Sequence, residues 1–314
     1  MGCHYPGVSM AENVTIIGSG PAGLTAAIYT AREGFDPLLI SGYEIGGQLG
    51  LTTKVENFPA FPNGINGPEL MELMQDQAKK FGTRFRQDIV TGVVLDTTPF
   101  RVVLSREEIE TRTLIIATGA SARWMDIPTE KEFIGKGVSS CATCDAPLYK
   151  GKDVIVVGGG DTAMEDSLFL TNFVKSVTIV HRRNEFRASR IMQEKVISNP
   201  KISVRWDSEI AEIRGDRTVR GAVIRNRKTG KMEEIPINGI FVAIGHKPNT
   251  DFLKGKLPVD DAGYVIAKDE VKTDIAGVFV AGDIADHRYR QAITAAGSGC
   301  KAALEVRSYL QEHP

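Results

Sequence analysis

Two stretches of the chain repeat the same order of apolar and polar positions. The first runs from Asn13 to Ser41 as NVTIIGSGPAGLTAAIYTAREGFDPLLIS, and the second starts at Asp153 as DVIVVGGGDTAMEDSLFLTNFVKSVTIVHRR. Each has a β-branched run, a glycine-rich turn, a segment of helical character and a second apolar run. This order predicts a strand, a turn, a helix and a second, parallel strand in both stretches. The repeat therefore predicts an α/β protein built from two such units.

The glycine turn of each unit has the spacing of a dinucleotide-binding fingerprint. Small residues occupy its three key positions, which are Gly18, Gly20 and Gly23 in the first unit and Gly158, Gly160 and Ala163 in the second. The first position permits a tight turn, the second lets the backbone approach a pyrophosphate, and the third lets the helix pack on the strand. The N-terminus of the helix then faces the phosphates with unpaired N–H groups. Two nucleotides are expected, one in each unit.

The residues that follow the second strand differ between the units. In the second unit, His181-Arg182-Arg183 replaces the acidic residue that would bind an unphosphorylated ribose, and Arg187 follows one turn later. Positive charge suits a 2′-phosphate, which favours NADP(H) over NAD(H), although a solvated basic turn is the alternative. The first unit has Glu44 and then Gly46-Gly47-Gln48, without a cation. This fits the unphosphorylated adenosine ribose of FAD.

Three later apolar runs predict further strands and a domain division. They are TLIIATGAS at 113–121, GIFVAIGHKPNT at 239–250 and GVFVAGD at 277–283. The third has no fingerprint of its own, so we expect it to return to the first domain. The first domain would then be split into residues 1–120 and 250–314, with residues 121–249 inserted as the second. The two connecting segments could form a two-stranded hinge.

Composition narrows the class of protein. The 314 residues are 42% hydrophobic and 25% charged, with a formal net charge of −1, which argues against nucleic acid as the main partner. No stretch approaches the about 20 apolar residues that would span a bilayer, so no membrane association is expected. The first residues, MGCHYPGVSMAEN, lack the apolar core of a secretory signal, and Met10 is a second plausible start. A cytoplasmic protein is therefore expected.

A CxxC motif lies between the two nucleotide units, in the stretch VSSCATCDAPLY with Cys141 and Cys144. A zinc site would need four ligands, and the remaining cysteines, Cys3 and Cys300, and the five histidines are not suitably spaced. A structural disulfide is unexpected in a chain without a secretory signal. A redox-active pair is left as the favoured interpretation, and a helix beginning behind it would lower the pKa of a thiol.

The ordered set GSGPAG, CATCD, GGGDTA, HRR and AGD resembles the low-molecular-weight thioredoxin reductases over nearly the whole chain, from about Asn13 to Leu310. The resemblance implies two Rossmann-like domains, with an NADPH domain inserted into a split FAD domain. It also implies FAD, NADPH as reductant, a homodimer and thioredoxin as the protein substrate. By the same resemblance, Cys144 faces the flavin, Cys141 attacks the substrate disulfide, and Asp145 is the acid–base group.

The resemblance also implies the residues of the two nucleotide sites. Those expected to bind FAD are Gly18, Gly20, Pro21, Ala22, Gly23, Ser41, Gly42, Glu44, Gly46, Gly47, Gln48, Asn57, Thr118, Gly119, Gly282, Asp283, Arg290, Gln291 and Ala292. Those expected to bind NADPH are Gly158, Gly160, Asp161, Thr162, Ala163, His181, Arg182, Arg183 and Arg187. No metal site is expected.

The chain departs from the family pattern at two places. Ala146-Pro147-Leu148 stands after CATCD, where bacterial relatives usually have glycine and two aromatic residues, and Asp161 stands where asparagine is frequent. Two alternatives to thioredoxin reduction are kept. One is a reductase of the same fold for another dithiol protein, either peroxiredoxin-type or ferredoxin-linked. The other is an FAD-binding redox sensor without turnover.

Overall fold

The computed structural model describes residues 11–52 and 54–314, which form two compact units. The first unit contains the described residues up to Lys54 together with Phe58–Ser121 and Lys247–Pro314. The second contains Val55–Asn57 and Ala122–His246. The segment 55–57 is thus grouped with the second unit, whereas the sequence placed it in the first. The expectations for residues 1–10, including Cys3, lie outside the described residues.

The strand, helix and strand that each repeat predicts are present, as the first three elements of the first unit and as the corresponding elements of the second unit. Up to the first connection between the units, the elements are β1 (Glu12–Ile17), α1 (Pro21–Arg32), β2 (Leu38–Ile40), α2 (Gly47–Leu51), β3 (Lys54–Val55), β4 (Ile65–Asn66), α3 (Gly67–Lys80), β5 (Arg84–Arg86), β6 (Val90–Val94), β7 (Phe100–Leu104), β8 (Glu108–Ile116) and β9 (Ala120–Ala122).

The second unit and the return to the first account for the rest. The second unit continues with α4 (Glu130–Phe133), β10 (Val138–Ser139), α5 (Ala142–Asp145), a 3₁₀ turn (Ala146–Tyr149), β11 (Asp153–Gly158), α6 (Asp161–Leu170), β12 (Ser176–Val180), α7 (Arg190–Ile197), β13 (Ile202–Arg205), β14 (Ser208–Gly215), β15 (Val219–Asn226), β16 (Met232–Pro236), β17 (Gly239–Ala243) and β18 (His246–Pro248). The return contains two 3₁₀ turns (Asp251–Leu253 and Gly282–Ile284), β19 (Val278–Val280) and α8 (Ala292–Glu312).

The main sheet of the first unit is parallel around β1 and β8. β1 lies between β2 and β8, β5 pairs with β2, and β19 pairs with the C-terminal half of β8, where Val280 is opposite Ile116. The antiparallel strands β6 and β7 extend the sheet from the N-terminal half of β8. The run GVFVAGD therefore returns to the first sheet, as predicted.

The main sheet of the second unit has five strands in the order β10-β17-β11-β12-β13, and every described pairing in it is parallel. All five residues of β17 are buried, and β11 buries Val154, Ile155 and Val156. Parallel strands that are covered on both faces are apolar throughout, which explains why these segments are continuous apolar runs in the sequence. A separate antiparallel sheet contains β14, β15 and β16.

The two connections between the units run side by side. β9 and β18 form a two-stranded sheet, so the two connecting segments pair, and their action as a hinge stays a prediction. Just outside it, the backbone N–H of Asn249 donates to the carbonyl oxygen of Gly119 at 3.0 Å. The side-chain amide of Asn249 donates to the carbonyl oxygen of Thr118, and the Thr118 hydroxyl donates to the carbonyl oxygen of Asn249. These bonds hold the segment that precedes the second unit next to the segment that follows it.

Candidate active site

The first glycine turn connects β1 to α1 and leaves an open space. Gly18 has a φ of +114°, and a Cβ there would lie 2.2 Å from the carbonyl oxygen of Ala117. At Gly23, a Cβ would lie 1.9 Å from the carbonyl oxygen of Gly18. At Gly20, a Cβ would meet no atom within 4 Å, and α1 begins at the next residue. Gly18 and Gly23 therefore close the turn, and Gly20 leaves room for a phosphate at the N-terminus of α1.

Ser19 is a residue that the sequence reasoning missed. Its hydroxyl donates to the carbonyl oxygen of Ser41 at 3.1 Å and accepts the backbone N–H of Gly46 at 3.1 Å. Ser19 therefore joins the glycine turn to the loop after β2, the two segments expected to hold the FAD pyrophosphate and ribose. A small polar residue between the first two glycines is the only sequence signal for this contact.

Asp283 follows β19 and has a buried oxygen without a partner. Its Oδ1 is buried and accepts no hydrogen bond among the described residues. Desolvation, together with the negative charge of Asp286, raises the pKa of Asp283 to about 7, although Arg290 acts in the opposite direction. Buried polar atoms are normally hydrogen-bonded, so this oxygen calls for a donor from outside the described chain. A sugar-alcohol hydroxyl of FAD is such a donor, and the residues present fit the cofactor.

Several residues that were expected to bind FAD have other contacts. Ala22 packs against Gly282, where a Cβ would lie 2.9 Å from the Ala22 Cβ. Gln291 caps α8 reciprocally with Thr294, and Thr118 uses its hydroxyl proton on Asn249. The side chains of the last two therefore fix local structure. Others, which are Glu44, Gln48 and Asn57, are exposed.

The second glycine turn repeats the arrangement between β11 and α6. A Cβ at Gly158 would lie 2.4 Å from the carbonyl oxygen of Ala243 and 2.8 Å from the Ala163 Cβ. At Gly160, a Cβ would meet no atom within 4 Å, and α6 begins at Asp161. The N-terminus of α6 in the second unit is therefore open in the same way as the N-terminus of α1 in the first.

The basic segment after β12 contains one buried histidine ring and three exposed arginines. His181 is 5% exposed, its ring packs near Phe186 and Trp206, and burial lowers its pKa. His181 therefore supports the turn from below and is not placed to contact a phosphate. The cationic residues Arg182, Arg183 and Arg187 are exposed, and none forms an ion pair with the described residues. This leaves positive charge available beside the glycine turn.

Cys141 and Cys144 are joined by a disulfide at the start of α5. Cys141 is the N-cap of this short helix and follows β10 after one intervening residue. Its backbone N–H donates to the hydroxyl of Ser139 at 3.0 Å. Because β10, β17 and β11 are parallel, the disulfide and the turn at Gly158 both follow the carboxyl ends of strands in one sheet. Both cysteines are half-buried.

Asp145 follows Cys144 directly in the chain. Burial raises the pKa of its carboxyl, and a hydrogen bond from Ser139 partly offsets this effect. Burial, and then the charge of Asp145, raises the pKa of the nearby Tyr149 phenol to about 12. A carboxyl whose pKa is raised keeps its proton at higher pH and can donate it to a thiolate. Asp145 is therefore suited to the acid–base role that the resemblance implies.

Among residues 11–52 and 54–314, no three or more His, Cys, Asp and Glu side chains are grouped so that they could hold a metal ion. Within the same residues, every helix is too short or too polar to cross a membrane.

The chain is similar to known proteins over nearly its full length. A family model described as pyridine nucleotide-disulphide oxidoreductase matches residues 12–299. The thioredoxin reductase of Rickettsia felis is 49% identical over 310 residues, which are 97% of this chain and 100% of the relative. The thioredoxin reductase of Streptomyces coelicolor is 49% identical over 306 residues, which are 96% of this chain and 95% of the relative.

Solved structures agree with this assignment. Thioredoxin reductase from Giardia duodenalis superposes with a TM-score of 0.91 at 44% identity, covering 95% of this chain and 98% of that one. The enzyme from Streptococcus pyogenes superposes with a TM-score of 0.92 at 38% identity, with the same coverage. The family resemblance and the predicted α/β class with two Rossmann-like units are confirmed. The chain therefore belongs to the low-molecular-weight thioredoxin reductases of the pyridine nucleotide-disulphide oxidoreductase family.

Proposed function

We propose that this chain transfers two electrons from NADPH, through FAD and the Cys141–Cys144 disulfide, to thioredoxin. FAD and NADPH are the cofactors of the family. The observation that carries the proposal is the position of the disulfide, which shares the carboxyl edge of one sheet with an open glycine turn. A sensor without turnover would not need a nucleotide turn and a disulfide at the same edge.

The two nucleotides are assigned to different units. The first unit holds FAD, because Gly20 leaves space at the N-terminus of α1 and Asp283 offers a buried acceptor without a partner. The second unit holds NADPH, because exposed guanidinium groups stand beside the open turn at Gly160. The residues named for each site in the sequence analysis remain predictions, with His181 and Gln291 supporting the local structure.

The residues of the redox centre would act in order. FAD, when bound, can accept a hydride from NADPH and pass two electrons to a disulfide. Those electrons and two protons convert the Cys141–Cys144 disulfide to two thiols. The Cys141 thiol releases its proton to solvent and its thiolate attacks one sulfur of the thioredoxin disulfide, so that the substrate S–S bond breaks and the other sulfur leaves and takes up a proton from Asp145, which solvent then reprotonates. The Cys144 thiol gives up its proton and attacks Sγ of Cys141, which reforms the Cys141–Cys144 disulfide, while the second substrate sulfur leaves, takes up that proton and completes reduced thioredoxin.

The short helix α5 favours Cys141 as the attacking sulfur. Cys141 occupies its N-cap, and the partial positive charge of a helix N-terminus stabilises a thiolate. Thr143 contacts the same sulfur, with 3.4 Å between the Cys141 Sγ and the Thr143 Oγ1. The substrate would meet the neighbouring surface at Pro147 and Leu148, which are exposed.

We also propose a homodimer in the cytoplasm, as the family resemblance implies. Light scattering on the purified protein tests the assembly, since the chain has a mass of 34.1 kDa and a dimer has twice that. A monomeric mass at micromolar concentration would contradict the dimer without affecting the proposed reaction.

The proposed reaction is tested by mixing the purified protein with FAD, NADPH and thioredoxin from the same organism. We expect a flavin spectrum, bleaching by NADPH, and continuous NADPH oxidation that depends on thioredoxin. Bleaching without thioredoxin-dependent oxidation would overturn the choice of substrate. The absence of bleaching would overturn the proposed route from NADPH to FAD.

A further inference from the structure

The basic segment of the second unit is tied back to the glycine turn. The backbone N–H of Arg187 donates to the carbonyl oxygen of Gly159 at 2.7 Å. Two residues later, the backbone N–H of Ser189 donates to Oδ1 of Asp161 at 2.9 Å. The segment is also closed on itself, because Nε2 of His181 lies 2.9 Å from the carbonyl oxygen of Glu185. We call residues 182–189 the basic loop.

The hydrophobic core of the second unit holds one side of the basic loop, and the hydrogen bonds to Gly159 and Asp161 hold the other. Phe186 and Ala188 are each 6% exposed and belong to the hydrophobic core of the second unit. Arg187 lies between them and is exposed, as are Arg182 and Arg183. The direction of the three guanidinium groups therefore depends on where the loop backbone is held. Of the three hydrogen bonds that hold the basic loop, the one to Asp161 is the one made by a side chain of α6.

We propose that Asp161 is a positioning residue that sets the preference for NADPH over NADH by holding the basic loop beside the glycine turn. The proposal rests on the proposed NADPH site in the second unit. Asp161 is the first residue of α6, and its carboxylate accepts the N–H of Ser189, the N-cap of α7. One side chain thus joins the helix that would face the pyrophosphate to the loop that would face the 2′-phosphate.

The charge of Asp161 and its hydrogen bond should have opposite effects on the cofactors. The carboxylate lies close to the turn where a pyrophosphate would bind, so its negative charge penalises NADPH and NADH alike. The hydrogen bond holds the basic loop, which matters for the 2′-phosphate that only NADPH carries. The hydrogen bond to Ser189 also lowers the pKa of Asp161, so the carboxylate form is present at neutral pH. Substitutions at Asp161 can therefore separate the effect of its hydrogen bond from the effect of its negative charge.

The test compares Asp161→Ala with Asp161→Asn in the FAD-loaded enzyme. The measured quantity is kcat/KM for NADPH divided by kcat/KM for NADH, with thioredoxin as acceptor. Because both values come from one preparation, this ratio does not depend on the fraction of active protein. We expect Asp161→Ala to lower the ratio about three- to tenfold, the effect of losing one ordinary hydrogen bond. Asp161→Asn retains an oxygen acceptor and should keep the ratio within about twofold of the parent.

A second variant removes the other partner of the bond. Ser189 has a φ of −59°, which proline can adopt, so Ser189→Pro deletes the donor N–H without changing this angle. It should lower the ratio as much as Asp161→Ala, and the double variant should lower it no further. Ser189→Ala removes the hydroxyl that also bonds Asp161 but keeps the backbone donor, so it isolates the backbone bond, and its ratio should stay close to that of the parent. Additive losses in the double variant would overturn the proposal.

The proposal and the proposed function fail in different ways. If Arg182→Ala with Arg183→Ala leaves the ratio unchanged, the NADPH site itself is wrong. If that double variant lowers the ratio and Asp161→Ala does not, the site stands and the positioning role of Asp161 is overturned. An equal loss in Asp161→Asn and Asp161→Ala would also overturn it, because the charge and not the anchor would then be responsible.

Discussion

The ring of His181 occupies the space in which residue 159 would carry a side chain. A Cβ on Gly159 would lie 2.2 Å from Cε1 of this ring, so the turn closes over the imidazole only because residue 159 is glycine. In the first unit, the corresponding residues are Ser19 and Ser41, and a hydrogen bond of 3.1 Å joins them. The two repeats thus fix the glycine turn to the end of the second strand by different contacts, one through packing and one through a hydroxyl.

The first prediction compares two adjacent glycines. Gly159→Ala should destabilise the protein by about 2 kcal/mol, because the added methyl group overlaps a buried ring. Gly160→Ala has no atom within 4 Å of the new methyl group and should change the stability by about 1 kcal/mol or less. It should nevertheless raise KM for NADPH about tenfold by filling the pyrophosphate space. Thermal unfolding and steady-state kinetics measure both effects, and equal destabilisation by the two variants would contradict the prediction.

The second prediction concerns the exposed arginines. Replacing Arg182 and Arg183 by alanine should raise KM for NADPH about 10- to 100-fold and change KM for NADH little, because charge-assisted bonds to a 2′-phosphate are lost. Arg190→Ala is the matched control, since Arg190 is also exposed but pairs with Glu194 at 3.0 Å. Similar effects on NADPH and NADH would refute the 2′-phosphate assignment.

The third prediction separates the two sulfurs from the remaining described cysteine. Cys141→Ser should leave the flavin reducible by NADPH but abolish thioredoxin turnover, because Cys144 alone cannot complete the exchange. Cys300→Ser should retain turnover, since Cys300 lies in α8 next to Tyr29 and contributes to local packing. Stopped-flow absorbance follows flavin reduction, and NADPH oxidation follows turnover. Retained turnover in Cys141→Ser would reverse the assigned roles of the sulfurs.

The fourth prediction uses the raised pKa of Asp145. Because burial keeps this carboxyl protonated to higher pH than usual, proton donation should fail as the pH rises through its pKa. Asp145→Asn should slow thioredoxin reduction about 100-fold and remove this alkaline decline, while flavin reduction by NADPH continues. Tyr149→Phe tests whether the nearby phenol is required, and we expect a rate within about twofold of the parent. An unchanged pH profile in Asp145→Asn would exclude the carboxyl as the acid.

The fifth prediction concerns the stability of the FAD-free protein. Asp283 has a pKa of about 7 in the folded state and an ordinary value of 3.8, so the folded protein binds more protons between these values. Its stability should therefore fall as the pH rises from about 4 through 7. Asp283→Asn should flatten this part of the profile. Thermal unfolding between pH 5 and pH 8 tests the prediction, and an identical slope in parent and variant would contradict it.

The sequence predicted the parts of the fold that depend on local pattern. The apolar runs around Gly18 and Gly158 became parallel strands, because a run of β-branched residues before a glycine turn has few other stable arrangements. The alternation of Phe100, Val102 and Leu104 is also a readable strand signal, since these three residues are buried in β7 and their neighbours less so. That strand was not predicted, although the pattern was present.

The contacts that the sequence could not reveal join residues far apart in the chain. Ser19 meets Gly46, and Asp161 meets Ser189, across whole helices and strands. Nothing in the local pattern distinguishes these polar side chains from solvated ones, because the partner is decided by how the elements pack. The same holds for His181, which the basic context placed in the cofactor site and packing placed under Gly159.

The bonds between Asn249 and the Thr118–Gly119 segment have a consequence for the order in which the chain is assembled on the ribosome. Residues 122–246 are synthesised before β19 and α8, so the inserted part of the second unit is complete in sequence while β8 still lacks its neighbour β19. The bonds to Asn249 hold the start of the C-terminal segment beside Thr118 and Gly119, which follow β8 in the chain. The unit inserted in the middle of the gene is thus the first to be finished.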